Sequence, residues 1–386
     1  MKRLNCPVVG LLSGLVFGLS LGVVQSTVVF GREARFGFQS GLNKSLRNWG
    51  IYNTSSSDSD IQAVEAWKIQ EGNRDIVVAV IDTGIDPNHK DLIKNLWHDP
   101  KGYDPKDKKT NHFGVNFVES GQDPVDVHGH GTHVAGIIGG ELDPALGTSG
   151  VAHRVSIMPI KYYADSNPGV VNLNNTIESI HYAVDHGARI INYSGGGPQF
   201  SEKEYQAIKE AESKGVLFVA AAGNESENID EQAHFYFPAS YSNPFVPVYQ
   251  KADLTRPGNI IVVAATNIKN ELIAASNWGK LSVDVAAPGE NILSTLPNGK
   301  SGYMTGTSQA TAFVSGVAAL ILSENPRLSP QQVKEILIQT SDRVAGLENK
   351  VAAAGHINSL EALRKARQLL APFEPIKNLA ARPNPS

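Results

Sequence analysis

The chain alternates between short unbroken apolar runs and longer stretches in which apolar residues recur every three or four positions. The runs at 76–81, 155–160, 189–193, 216–222 and 260–265 are rich in β-branched residues, so each predicts a strand covered on both faces. Helical patterns fall between them. A short helix carrying Ile61, Val64 and Trp67 follows Asp60 as cap and stops before Gly72, and another spans 132–138. Two more, at 176–186 and 201–214, stop at Gly187 and Gly215, the second opening on a Ser201/Glu204 capping box. Ser329 with Pro330 and Gln332 opens a further helix, and Asn358 with Glu361 opens the last. Strands and helices in alternation imply an α/β fold, an open, mostly parallel sheet with helices on both faces and right-handed crossovers. In such sheets sites gather outside the carboxyl ends of the strands.

The two ends of the chain read differently. Lys2 and Arg3 precede an apolar stretch over 8–24, and small residues at 24–26 suit cleavage before Thr27, so 1–26 is read as a signal peptide. Gly31 is a second cleavage point, and the apolar run to Phe30 leaves an uncleaved membrane anchor as the alternative. Residues 27–48 form a short N-terminal segment, 49–370 a single catalytic domain and 371–386 a Pro-rich tail. The segment ahead of the domain has too few residues to fold alone. A secreted or periplasmic location follows from this reading.

Composition narrows the chemistry. The only cysteine, Cys6, lies in the leader, so the mature chain has neither a thiol nucleophile nor a cysteine-bound zinc. Lys plus Arg total 34 against 38 Asp plus Glu, a balance that gives no field for nucleic acid or for an anionic membrane. Partners are expected to be proteins or peptides, with no nucleic acid and no stable membrane association unless the leader stays attached.

Three polar motifs stand at the ends of apolar segments. Ser308, in Gly306-Thr-Ser-Gln-Ala-Thr311, starts a helical run to Leu322, where backbone N–H groups favour developing negative charge. A plain helix cap is the alternative there. Asp82 directly follows the first strand and equally suits a turn before Gly84. His130 lies between glycines in Asp126-Val-His-Gly-His-Gly-Thr-His133, and those glycines permit close approach to its ring. Together they give a Ser/His/Asp set in the chain order Asp, His, Ser, one of the known orders of that triad.

With these motifs, the chain resembles the subtilisin-like serine peptidases (subtilases) over 49–370. The resemblance implies an exported serine endopeptidase working through an acyl-enzyme: Ser308 attacks, His130 moves the proton and Asp82 orients the ring. It further implies Asn224 as oxyanion-hole donor and Ser194, Gly195 and Gly196 as a wall of the primary substrate pocket, with the stretch 165–169 opposite. No cofactor is implied for catalysis. Asp91 matches a family calcium ligand, and 141–147 offers further oxygens for a structural calcium without matching the family loop closely; a plain surface residue is the other reading of Asp91. Glu225, Glu227, Asp230 and Glu231 follow the oxyanion residue and read first as an ordinary solvated acidic loop, with a bias of the pocket toward basic side chains as the alternative. The chain departs from the family at Gln309, Ala312 and Phe313, where Met, Pro and His are usual, and in having no recognisable folded pro-segment. Two other functions fit parts of the pattern: a metallohydrolase on His128, His130 and His133, and a non-catalytic scaffold binding extended peptides.

Overall fold

The computed structural model describes residues 46–54, 59–100, 113–247 and 254–370, so the leader, most of the segment after it and the Pro-rich tail lie outside the described residues. Nine strands form one sheet: β1 (Gly72–Asp82), β2 (Val115–Asn116), β3 (Arg154–Lys161), β4 (Ile190–Tyr193), β5 (Leu217–Ala221), β6 (Ile260–Thr266), β7 (Val285–Pro288), β10 (Asp342–Arg343) and β11 (Gly355–His356). Their order is β10-β11-β7-β6-β5-β4-β1-β3-β2, and every pairing is parallel except β10 with β11. The expected open, mostly parallel α/β sheet is what forms.

Alternation along the strands divides the interior into two cores. Val78, Val80, Val219 and Val263 point to one face, while Ala79, Ile81, Phe218 and Val262 point to the other. Helices α2 (His130–Gly139) and α5 (Thr307–Glu324) cover the first face, joined by residues of α1 (Ala63–Ala66), α6 (Pro330–Gln339) and α7 (Ser359–Gln368). Helices α3 (Gly169–Asp185) and α4 (Glu202–Ser213) cover the second. Because both faces are dry, each central strand reads as a continuous apolar run.

Helix α5 is the innermost element. Every residue from Thr307 to Leu322 is buried, and Ser315 Oγ donates to Asn192 Oδ1 of β4 at 2.8 Å. Phe313 is fully buried, its ring against the backbone of Gly50 and beside Pro288. The helix is continuous through Ala312, so the absence of proline there leaves its start intact.

Several boundaries differ from the sequence reading for local reasons. Helix α3 begins at Gly169, seven residues earlier than expected, because its first turn exposes Val170 and Val171 and shows no buried periodicity. Strand β1 extends back through polar 72–75, with a register irregularity before Val77. At α4 the capping box is half made: Glu204 N donates to Ser201 Oγ at 3.3 Å, but the Glu204 carboxylate accepts from Tyr241 at 3.0 Å instead. At α6 both halves form. Asp60 caps the turn before α1 by accepting from Gln62 N at 2.8 Å.

The short strands β2, β7, β10 and β11 fall outside the five expected runs, as does the hairpin of β8 (Ile292–Leu296) and β9 (Lys300–Met304). Its turn holds Asn298 and Gly299 with φ of 65° and 66°, the left-handed pair that an Asn-Gly hairpin requires. The hairpin leads straight into α5 and packs on α2. Replacing Phe313 by Ala should remove about 3–5 kcal/mol of stability, read by urea unfolding in a Ser308→Ala background that prevents self-digestion.

Candidate active site

Asp82 is the last residue of β1, and the parallel sheet directs its side chain to the carboxyl edge. His130 opens α2, whose start is pressed against the turn after β1. A Cβ on Gly131 would lie 2.1 Å from Gly84 O and 3.2 Å from Asp82 Cβ, so only glycine lets the helix come this close. The contact brings His130 Nδ1 to 2.7 Å from Asp82 Oδ1, while Thr83 N donates to the same oxygen at 2.8 Å.

Behind this pair lies Asp126, a buried carboxylate that ties the two loops together. It accepts five hydrogen bonds, from Thr83 Oγ1, His128 N, Gly129 N, Thr132 N and Thr132 Oγ1, at 2.6–2.9 Å. Thr83 Oγ1 accepts in turn from Gly131 N at 2.9 Å. Burial alone would raise the Asp126 pKa, but the bonds from Thr132, Gly129 and Thr83 outweigh it and hold the group below its usual value, ionised. Asp126 stands four residues before the glycine-flanked His130, and that spacing is the signal in the sequence for its role.

Charge on these carboxylates acts on the imidazole. Burial would lower the His130 pKa, yet the Asp82 charge and hydrogen bond, with Asp126 behind them, raise it above 6.5. His133 behaves oppositely. Its Nε2 lies between the carbonyls of Ile292 and Gly302, at 3.0 and 3.2 Å, and burial with the neighbouring His130 pushes its pKa down to about 3. With Nε2 donating to carbonyls, His133 serves as a strut between α2 and the β8–β9 hairpin. The three histidines do not converge: among the described residues no group of three or more His, Cys, Asp or Glu side chains is disposed to hold a metal ion.

Ser308 is the second residue of α5 and lines the same crevice as Asp82, His130, Ser194 and Asn224. Asn224 follows the end of β5, neighbour of β4 in the sheet. Its Oδ1 accepts from Thr307 N at 2.9 Å and Thr307 Oγ1 at 3.2 Å. A backbone N–H can only donate, so the side-chain orientation is fixed and Nδ2 remains the group offered to a ligand. The N–H of Ser308 follows in the first helical turn, for which an α-helix provides no internal acceptor. Gln309 also lines the crevice, with Nε2 4.0 Å from Met304 Sδ.

Of the expected pocket wall, Ser194 faces the crevice, whereas Gly195 lies against the hydroxyls of Tyr162 and Tyr193, and Gly196 against the ring of Tyr236. The acidic residues after Asn224 have structural partners. Glu225 accepts from Asn277 Nδ2 at 2.6 Å, Glu227 meets His234 at 3.0 Å, Asp230 accepts from Leu281 N and Ser282 N, and Glu231 accepts from Asn228 at 3.0 Å. None of the four lines the crevice.

The proposed calcium loop fits that ion poorly as folded. Glu141 N donates to Asp91 O at 2.7 Å, so loop and residue do meet. The Asp91 carboxylate, however, takes Thr148 Oγ1 at 3.1 Å, and that of Asp143 is paired with Lys90 and with the amides of Ala145 and Leu146. The Asp143 carboxylate is thus already paired with the ammonium of Lys90.

Similarity to known proteins agrees with the geometry. The profile of the subtilase family matches residues 73–359. A thermophilic serine proteinase of Bacillus sp. is 34% identical over 298 residues, 77% of this chain and 64% of that protein, so the match spans under two thirds of that relative. The major intracellular serine protease of Bacillus subtilis is 35% identical, covering 77% of this chain and 84% of that one. Among solved structures, a protease of Pseudoalteromonas arctica covers 83% of this chain and 98% of its own with a TM-score of 0.63, and at 24% identity it speaks to the fold alone. The chain therefore belongs to the subtilase family of serine-type endopeptidases.

Proposed function

We propose that the crevice hydrolyses peptide bonds through an acyl-enzyme on Ser308, with His130 as general base then acid and Asp82 as its orienting carboxylate. The observation that carries the reading is the 2.7 Å contact of His130 Nδ1 with Asp82, which fixes the tautomer and leaves Nε2 to serve the serine. In acylation the Ser308 oxygen bonds the carbonyl carbon, its proton passes to His130, and the carbonyl electrons move onto oxygen. Collapse expels the amine, which takes the proton from His130. Water then repeats the sequence and frees Ser308.

The developing oxyanion is met by Asn224 Nδ2 and the Ser308 N–H at the positive end of α5. The glycines after Ser194 leave backbone edges for an extended peptide, so substrates are proteins or peptides. The apolar leader supports export to a secreted or periplasmic location. The alternative of a peptide-gripping scaffold without catalysis lacks a reason for the Asn224 and Asp82 orientations.

Ser308→Ala should abolish turnover of a chromogenic peptide, and Asn224→Ala should lower kcat by about 10²–10³-fold with little change in KM. Peptide binding that persists in a parent protein unable to cleave would overturn the reading. The base must be unprotonated, and its pKa is raised, so kcat/KM should climb with pH along a limb centred above 6.5. In Asp82→Asn the charge that raises it is gone, and the limb should move to lower pH on a much smaller rate, as a pH–rate series would measure.

A further inference from the structure

We infer that Tyr236 fills the primary pocket and restricts cleavage to bonds following a small residue, an inference that rests on the reading of Ser308 and Asn224 given above. Strands β4 and β5 lie side by side in parallel, Asn192 opposite Val219 and Tyr193 opposite Ala220. The segments that leave their carboxyl ends, through Gly196 and through Gly223, therefore run out together on either side of one gap. Ser194, Gly223 and Asn224 line one crevice with Ser308, so the side chain beside a carbonyl held at Ser308 is inferred to enter that gap.

The gap contains the Tyr236 ring. A Cβ built on Gly196 would meet Tyr236 Cε1 at 2.3 Å, and one built on Gly223 would meet the same atom at 3.1 Å. One ring edge thus lies against both glycines, and Tyr236 is only 9% exposed while still lining the crevice.

Its backbone is pinned. Tyr236 N donates to Ser240 Oγ at 2.8 Å, and the next residue exchanges two hydrogen bonds with Gly197, Gly197 N to Phe237 O at 2.8 Å and Phe237 N to Gly197 O at 2.7 Å. The crevice as a whole, from Asp82 and His130 across to Tyr236 and Gln309, holds only about 60 Å³ of free space. A cavity that admits benzene measures about 150 Å³, so an aromatic or long aliphatic side chain finds no room beside the ring. Glycine, alanine and serine fit.

The test uses the full-length enzyme and tetrapeptide p-nitroanilides that differ only in the residue supplying the scissile carbonyl: Ala, Leu or Phe. The parent should favour Ala over Phe in kcat/KM by at least about tenfold. Tyr236→Ala and Tyr236→Gly should raise the Phe-to-Ala ratio by at least about tenfold, whereas Tyr236→Phe, which keeps the ring, should retain the parent profile. Burst titration with a p-nitrophenyl ester counts functional sites in every variant. A parent that cleaves after Phe as readily as after Ala overturns the inference, as does a Tyr236→Ala enzyme with a full burst and an unchanged profile. If neither small variant gives a burst, the parent profile decides alone. A parent with no burst and no cleavage overturns the catalytic reading itself, a result distinct from a wrong preference.

Discussion

Burial of α5 is the constraint on which the rest depends. A helix with every side chain from Thr307 to Leu322 removed from water has no amphipathic choice of face; it must run through the interior, against β1, β4, β5, β6 and β7. Its N-terminus is where the buried backbone has unpaired N–H groups. Those donors are satisfied only if polar partners meet them, and the carboxyl edge of the parallel sheet supplies Asn224. The same unmet donors that would be a cost in a plain core become, on the proposed reading, the field that receives an oxyanion. Fold and chemistry share one cause here.

The remaining precision comes from Asp126. Five donors on one buried carboxylate hold the turn after β1 and the start of α2 as a unit, and hydrogen bonds to a charged acceptor are each stronger than neutral ones. The arrangement sets the Asp82 to His130 distance by backbone position, with Gly131 permitting the approach. Asp126 touches no reacting atom in this scheme; it positions the loop and adds negative potential at the imidazole. On the other side, Ser294 and Thr295 of the hairpin donate to the carbonyls of His133 and Thr132, so the first turn of α2 is held from two sides.

Much of this was legible in the residues. Continuous β-branched runs identify the central strands because burial on both faces removes polar alternation, and the three motifs identify Asp82, His130 and Ser308, which the fold gathers in one crevice. Less legible were features that depend on partners distant in sequence. Asp126 is unremarkable as a letter and decisive only when five donors surround it. Gly196 is expected as part of the pocket wall, yet the ring of Tyr236 arrives from another segment and lies against it. Glu225 and its neighbours suggest a cation pocket until Asn277, His234 and the amides of 281–282 engage them. The first turn of α3 escaped because its valines face solvent.

The central claim is an activated serine at residue 308, and intact-protein mass spectrometry after treatment with a peptidyl phosphonate tests it most directly. The account predicts one added phosphonyl group, mapped by peptide sequencing to Ser308, absent in Ser308→Ala and sharply reduced in Asp82→Asn. A folded parent that gains no mass, or gains it at another residue, would contradict the account.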